Sequence, residues 1–263
     1  SRISSIKKNR KKKDIRNNLV FSFIEHVNYL NPKFFLMENV RGILSREDGG
    51  IFRELVKKIK SYGYKFEIYN LDAVNYGVPQ YRKRVFIAGT KLENYEISKP
   101  SYTHGDHFLF EKETSVNSVI CDLAKIKIDE SINHVPLKHK PKNLRRYKLI
   151  PEGGRLPENK LPKELFRKNF GNTFKRLHRN KPSLTMVPGH NAFPIHPWLD
   201  RSLTVREAAR IQTYPDNFIF VGPRHEQCIQ VGNSVPVKLA KHWAKHIKKI
   251  LLKRDSKKNE KAA

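Results

Sequence analysis

The sequence predicts an α/β protein in which half of a doubly wound domain is joined to a smaller, loop-rich lobe. Apolar residues at helical spacing alternate with short apolar runs over residues 1–91, and helical periodicity returns after residue 200. Between them, over residues 92–200, the periodicity fades while Pro, Asn, His and Lys become frequent. Only half of the domain is expected, because no glycine-rich GxGxxG turn is found in the chain.

The elements of the first part follow from this periodicity. Apolar positions over 17–30 and over 51–59 predict two helices. The run 34–37 is wholly apolar, which predicts a strand buried on both faces of a parallel sheet. Two further strands are predicted near residues 64–71 and 84–89, with a turn-rich link between them.

Helical order is predicted again from Thr204. Thr204 and Glu207 have the spacing of a capping box, and Pro215 is expected to stop the helix that they begin. Ser234 is predicted to cap a long final helix, and residues 253–263 are expected to form a charged, frayed tail.

Composition restricts the function classes. The 263 residues are 38% hydrophobic, which excludes wholesale disorder, and no apolar run approaches the roughly 18–20 residues of a membrane span. Two cysteines exclude a disulfide scaffold and a Cys-rich zinc site, suit a reducing cytoplasm, and leave no predicted metal site. The formal net charge of +28 favours a polyanionic partner, nucleic acid before membrane, over a merely solubilising surface.

Glu38 is the first candidate for a chemical role. It follows the apolar run at the predicted carboxyl end of a parallel strand, where open α/β sheets bind ligands. Partial desolvation would raise the pKa of its carboxyl group, so that it could donate a proton near neutral pH. The alternative is an acid that caps the next turn, and this strand alone favours that alternative.

Two further segments could bind ligands. Gln80, Arg82 and Arg84 alternate onto one face of a strand, and two adjacent guanidinium groups suit a phosphate or a base carbonyl. An exposed edge strand protected by charges is an equally good interpretation. Residues 232–234 precede the final helix, so their backbone amides could receive a ligand, although in isolation a simple capped turn is favoured.

Four motifs occur in a characteristic order along the chain. They are Glu-Asn-Val at 38–40, Gln-x-Arg-x-Arg at 80–84, Arg-x-Leu-Thr-x-Arg-Glu leading to Tyr-Pro-Asp over 201–216, and Gly-Asn-Ser-Val at 232–235. Together they resemble the cytosine-5 DNA methyltransferase family, and residues 103–105 and 181–185 are similar to bacterial members. The resemblance implies a partial, Rossmann-like methyltransferase domain and a smaller, loop-rich target-recognition lobe.

The resemblance also implies a domain organisation. Residues 1–91 would form a partial catalytic domain, 92–200 the variable target-recognition region, and 201–252 the return to the catalytic domain, followed by the tail at 253–263. The expected partner is double-stranded DNA, and the expected setting is a bacterial restriction–modification system in the cytoplasm, associated with the nucleoid.

The family's chemistry implies roles for individual residues. A cysteine thiolate adds to carbon 6 of a cytosine flipped out of duplex DNA, and carbon 5 then takes the methyl group of S-adenosyl-L-methionine. By resemblance, Glu38 protonates ring N3 and Arg84 holds O2, with Arg82 in the same catalytic set. The other implied roles are structural support by Asn39, Gln80, Arg206 and Glu207, and cofactor binding by Asn233 and Ser234. Within the variable region, Arg145, Arg146, Arg179 and His190 are candidates for DNA binding, and the favoured alternative for them is phosphate contact or plain solvated charge.

Two family motifs are missing from the printed residues. There is no Phe-x-Gly-x-Gly cofactor motif and no Pro-Cys nucleophile motif, since Cys121 and Cys228 lack the preceding proline. We expect a truncated sequence with the nucleophile just before Ser1 and most of the cofactor site outside it, or a split enzyme completed by an N-terminal companion polypeptide. This chain alone is then expected to be inactive.

Two other interpretations stay open at this point. One is a non-catalytic, sequence-specific DNA-binding module derived from the family, which would have no use for a proton donor such as Glu38. The other is a generic basic RNA-binding protein, which explains the charge but none of the four motifs.

Overall fold

The structure is a computed structural model in which two compact units are distinguished. It describes residues 18–44, 49–93, 95–168, 172, 174–187 and 193–259. Unit 1 consists of the described residues of 1–72, 83–101 and 243–263, and unit 2 of those of 73–82 and 102–242. These limits differ from the domain boundaries implied by the motifs, which stay predictions.

Unit 1 is an α/β unit with a three-stranded sheet. Its elements are α1 (Leu19–Leu30), β1 (Phe34–Asn39), α2 (Gly49–Ser61), β2 (Lys65–Asp72) and β3 (Lys83–Thr90). The strand order is β1-β3-β2, and β3 runs antiparallel to both neighbours, with Glu38 opposite Phe86 and Asp72 opposite Lys83. The prediction of a parallel pairing for β1 was therefore wrong.

The physical reason lies in the position of β1. Its residues alternate between half-buried and buried, with Phe35 and Met37 among the buried ones, so it is not buried on both faces. A wholly apolar run hides this alternation, because Phe34 and Leu36 on the other face are apolar too. β1 and β2 do run in the same direction, but β3 lies between them.

Helices cover both faces of the sheet. On one face, α1 and α2 pack their apolar residues against β3, where Ile24, Leu55 and Val85 are fully buried. On the other face, Phe86 packs against Trp243 of the final helix (Val237–Asn259), most of which belongs to unit 1, at a ring distance of 5.6 Å. The alternation of β3 between these two cores fixes its register.

Unit 2 is built mainly from loops. Its helices are α3 (Asn117–Ile120), α4 (Pro141–Lys148), α5 (Val205–Ile211), α6 (Arg224–Asn233) and the start of α7 (Val237–Asn259). Within its described residues, strand-like pairing is confined to isolated bridges such as Gln80 with Ser183. Loops of this kind need other partners for their backbone carbonyl groups.

Buried arginines supply many of those partners. The guanidinium group of Arg176 donates to the carbonyls of Tyr147, Ile150, His196 and Leu199 at 2.7–3.0 Å. Several segments that are distant in sequence are thereby fastened to one side chain.

The carboxyl-terminal part differs from its prediction in three ways. The helix α6 was not predicted, and Ser234 ends it instead of capping the final helix. The helix α5 ends at Ile211, before Pro215, because Thr213 adopts a positive φ of 62°. The final helix α7 continues through Asn259, so the described part of the predicted frayed tail is helical.

The predicted capping box of α5 is confirmed. Thr204 Oγ1 accepts from the backbone N–H of Glu207, and the Glu207 carboxylate accepts from the Thr204 N–H. Among the helices described, none combines the length and the apolar character that crossing a membrane requires.

Candidate active site

The first candidate site lies in unit 1, where Glu38 and Arg84 form an ion pair. Glu38 is the penultimate residue of β1, and Arg84 lies near the start of the adjacent strand β3. Arg84 Nε is 3.0 Å from Glu38 Oε1, and the side chains are 13% and 22% exposed, respectively. The pair is thus held by the sheet and still partly open to solvent, so a polar ligand could reach it.

The electrostatics of this pair are governed by the partial burial of the Arg84 guanidinium group. Burial lowers the pKa of Arg84, while the Coulomb attraction and hydrogen bond to Glu38 oppose that effect. Arginine has so high an ordinary pKa that Arg84 stays charged at neutral pH. A fixed donor and a carboxyl group therefore lie side by side, which allows hydrogen bonds to two positions on one ligand edge.

Asn39 ends β1 directly after Glu38. Its side-chain Oδ1 accepts a hydrogen bond of 2.8 Å from the N–H of Val40, and the residue is buried. This contact holds the turn that follows the strand.

In unit 2, residues 181–185 pair with the stretch that contains Gln80. The N–H of Tyr81 donates to Ser183 O, and the N–H of Ser183 donates to Pro79 O, both at 2.8 Å. Thr185 Oγ1 donates to Tyr81 O at 2.6 Å, and Gln80 is fully buried. The second motif and this shorter one are therefore brought together.

The motif at 103–105 packs against the same stretch. The backbone N–H groups of Thr103 and His104 both donate to Asn75 O, at 3.0 and 3.1 Å. Gly77 has φ of +73°, and a Cβ there would lie 2.6 Å from the ring of His104. Glycine is required at this turn for both reasons.

Arg82 lies in unit 2 and is only 1% exposed. Its guanidinium group donates to the backbone carbonyls of Gly232 at 3.0 Å, Ser234 at 2.9 Å and Met186 at 3.4 Å. The sequence analysis grouped Arg82 with the catalytic residues. In the structure, its buried guanidinium group donates to three carbonyls and so holds the backbone in position.

Residues 232–234 also differ from their prediction. Because α6 ends there, Gly232 and Ser234 present carbonyl oxygens to Arg82 instead of free amides to a ligand. Ser234 Oγ donates to Val231 O at 2.8 Å, whereas Asn233 is exposed.

Arg206 and Glu207 on α5 are both fully buried. Arg206 donates to the carbonyls of Ile132, Pro215 and Phe218 at 2.6–3.0 Å. Glu207 accepts two hydrogen bonds of 2.7 Å from Arg201. Although burial acts to raise its pKa, the bonds and charges around Glu207 lower it overall, so this buried carboxylate is charged at neutral pH.

His196 is the residue of this cluster that the sequence analysis missed. Its Nε2 lies 3.6 Å from Glu207 Oε1, and burial lowers the pKa of His196 to about 4. No motif or spacing singled out His196, since its partners come from a loop and a helix that only the fold brings together.

The four residues predicted to bind DNA differ in their exposure. Arg145 is 58% exposed and 3.4 Å from Glu164, and Arg179 is bound to Glu152 at 3.0 Å. Arg146 is only 6% exposed, and its guanidinium donates to backbone carbonyls, so its prediction as a DNA contact was wrong. His190 lies outside the described residues.

The two cysteines of the chain lie outside the four motifs. Cys228 is buried within α6, and burial raises the pKa of its thiol, which disfavours the thiolate. Cys121 is exposed after α3, among residues that the motifs do not include.

These observations define an α/β protein with a carboxylate–guanidinium site at a strand end, and methyltransferases are among the solved structures that match its fold. It matches a candidate DNA modification methyltransferase encoded in an E. coli prophage, with a TM-score of 0.63 at 23% identity over 91% of this chain and 76% of the other. The S. pombe Dnmt2 methyltransferase gives a TM-score of 0.58 at 15% identity, over 90% and 73%. Likeness at these identities concerns the fold.

Sequence comparison identifies the family. Residues 1–249 match the family described as C-5 cytosine-specific DNA methylase, and this chain belongs to it. It is 34% identical to the Type II methyltransferase M1.HphI of Haemophilus parahaemolyticus, over 90% of this chain and 62% of that protein. It is 32% identical to M.DdeI of Desulfomicrobium norvegicum, over 92% and 69%. The chain thus spans about three fifths of M1.HphI.

Proposed function

We propose that this chain is the part of a DNA cytosine-5 methyltransferase that protonates and holds the target base, in a restriction–modification system. The observation that carries the proposal is the Glu38–Arg84 ion pair at the end of β1, in a chain that belongs to the C-5 cytosine-specific DNA methylase family. Relatives named as Type II methyltransferases support the same activity.

In this proposal, Glu38 takes up a proton from solvent as the base enters, and its protonated carboxyl group donates that proton to ring N3 of the flipped cytosine, while Arg84 donates a hydrogen bond to O2. Attack of a thiolate on carbon 6 places negative charge on N3, so a proton delivered there stabilises the addition step. The 3.0 Å contact holds Glu38 and Arg84 close enough to meet neighbouring atoms of one pyrimidine edge.

Asn39 and Arg82 are positioning residues in the same proposal. Asn39 fixes the turn after Glu38 through Val40. Arg82 bonds the stretch that contains Gln80 to the end of α6 through Gly232 and Ser234. Neither needs to touch the base.

S-adenosyl-L-methionine would supply the electrophilic methyl group when bound. The described residues suit only part of such a molecule: the exposed amide of Asn233 could bond to a polar group, whereas the Ser234 hydroxyl already donates to Val231 O. We propose that the cysteine nucleophile and most of the cofactor site come from polypeptide outside the printed sequence, in the same chain or a companion.

Substitution of Glu38 by glutamine tests the assignment. In the native protein as its gene encodes it, Glu38→Gln should lower methyl transfer about 10²–10⁴-fold, because the amide cannot protonate N3. Affinity for the duplex should change little. Glu67→Gln is the matched control, since Glu67 is an exposed carboxylate of the same sheet.

The two measurements separate the alternatives. Undiminished transfer in Glu38→Gln would refute the role of Glu38. A native protein that binds a specific duplex but never methylates it would favour the non-catalytic DNA-binding module instead.

A further inference from the structure

Residues 138–168 of unit 2 form a strongly basic segment. They contain eleven Lys and Arg side chains against three Glu. Glu152, one of those three, is bound by Arg179. The segment therefore has a large excess of positive charge that its own acids do not balance.

The helix α4 presents part of this charge on one face. Lys142, Arg145 and Lys148 are spaced i, i+3 and i+6, and all three are exposed. Tyr147 points to the other side, where it packs with Ile150 and other apolar residues of a small core. The helix is thus anchored by one side and cationic on the other.

A second basic stretch lies beside α4. Arg146 donates from Nε to Leu165 O at 2.8 Å and from Nη2 to Phe166 O at 3.2 Å. These bonds bring the exposed side chains of Lys163 and Arg167 next to the helix. Buried Arg146 therefore holds the scaffold, and the exposed cations around it form what we call the α4 basic surface: Lys142, Arg145, Lys148, Lys163 and Arg167.

We infer that the α4 basic surface binds the phosphate backbone of duplex DNA. Exposed cations attract a polyanion and release its counterions. Arg145 is paired with Glu164 at 3.4 Å, but both side chains are largely exposed, so a phosphate can compete for this guanidinium. No base-edge recognition is required of them, so they would supply affinity that does not depend on sequence. The inference rests on the proposed function, because it takes DNA as the substrate.

The salt dependence of binding tests this surface. The triple variant Lys142→Gln, Arg145→Gln and Lys148→Gln removes three charges from α4. The slope of log affinity against log salt should become shallower by about 2–3, at about 0.9 per lost phosphate contact. The loss should be equal for duplexes of different sequence.

A matched control uses α7. The triple variant Lys241→Gln, Lys245→Gln and Lys248→Gln removes the same charge from exposed positions of one helix. Its slope should change by less than about 1. Circular dichroism and thermal midpoints equal to wild type would show that both triple variants are folded.

The outcomes distinguish binding at the α4 basic surface from a general attraction of DNA by the net positive charge. An unchanged slope in the α4 variant, or an equal change in the α7 variant, would refute the α4 basic surface and leave its cations as a solvated face. Failure of the proposed function would look different: the α4 variant would show the predicted change of slope, and yet the native protein would form no 5-methylcytosine.

Discussion

The two units of the molecule satisfy the hydrogen-bonding groups of their backbones by different means. In unit 1, β3 forms hydrogen-bonded ladders with both neighbouring strands, and an apolar core with fully buried Ile24 and Leu55 lies against it. In unit 2, whose described residues form no ladder of this kind, buried guanidinium groups collect the carbonyls of loops. Arg176 and Arg206 are the main examples.

The difference changes how the net charge is interpreted. A formal charge of +28 indicates a polyanionic partner, but it also counts buried arginines that contact backbone and cannot contact DNA. Arg82 and Arg146 belong to that internal group. Only the exposed cations, such as those of the α4 basic surface, are available to a partner.

The largest predicted effect on stability comes from removing one of the internal arginines. Arg176→Leu should lower the free energy of unfolding by about 3–5 kcal/mol, because it leaves four carbonyls and Asp200 without their buried partner. Chemical denaturation followed by circular dichroism measures it. Arg145→Leu, at an exposed site, should cost less than about 1 kcal/mol. Equal losses in the two variants would contradict the proposed difference in stabilisation between internal and surface arginines.

The next largest effect is a loss of folding stability at acidic pH. Burial lowers the pKa of His196 to about 4, with Glu207, Arg201, Arg176 and His134 as its charged or titratable neighbours. An unfolded histidine has a pKa near 6.5, so between pH 6.5 and 4 the unfolded state binds a proton that the folded state does not. Stability should therefore be fully present above pH 6.5 and fall by up to about 1.4 kcal/mol per pH unit below it.

Hydrogen exchange resolved by unit should assign this loss to unit 2. Glu207, whose folded-state pKa is lowered, adds to the loss only as pH falls below its unfolded value near 4.5. The variant His196→Gln should flatten the profile between pH 6.5 and 4.5, whereas His225→Gln, at an exposed position, should leave it unchanged. Identical profiles in all three proteins would contradict the assignment.

The smallest of these effects concerns the α5 capping box. Thr204→Ala should cost about 1 kcal/mol, because the N–H of Glu207 loses its side-chain acceptor. Thr204→Ser keeps the hydroxyl and should restore most of that stability. A serine variant as unstable as the alanine variant would show that packing of the methyl group dominates at this site.

The sequence was sufficient for elements whose patterns are local. The helices α1 and α2, the three strands and the capping box at Thr204 all follow from periodicity or from a short spacing. The position of Glu38 beside a strand end followed in the same way.

Features set by contacts between distant segments were not predictable. β1 was assigned to a parallel sheet because a wholly apolar run does not show which face is buried. The helix α6 was missed, and with it the carbonyl contacts of Gly232 and Ser234 to Arg82, about 150 residues away. Arg146 and Arg145 are adjacent in sequence. Only the fold shows that Arg146 is buried and binds backbone carbonyls, whereas Arg145 is an exposed cation.

The most direct test of the central claim is the chemical identity of the methylated base. DNA treated with the native protein and S-adenosyl-L-methionine can be digested to nucleosides and analysed by mass spectrometry. We predict 5-methyl-2′-deoxycytidine, in amounts that fall sharply when Glu38 is replaced by glutamine and persist when Glu67 is. Methylation on an exocyclic nitrogen of cytosine or adenine would contradict the account.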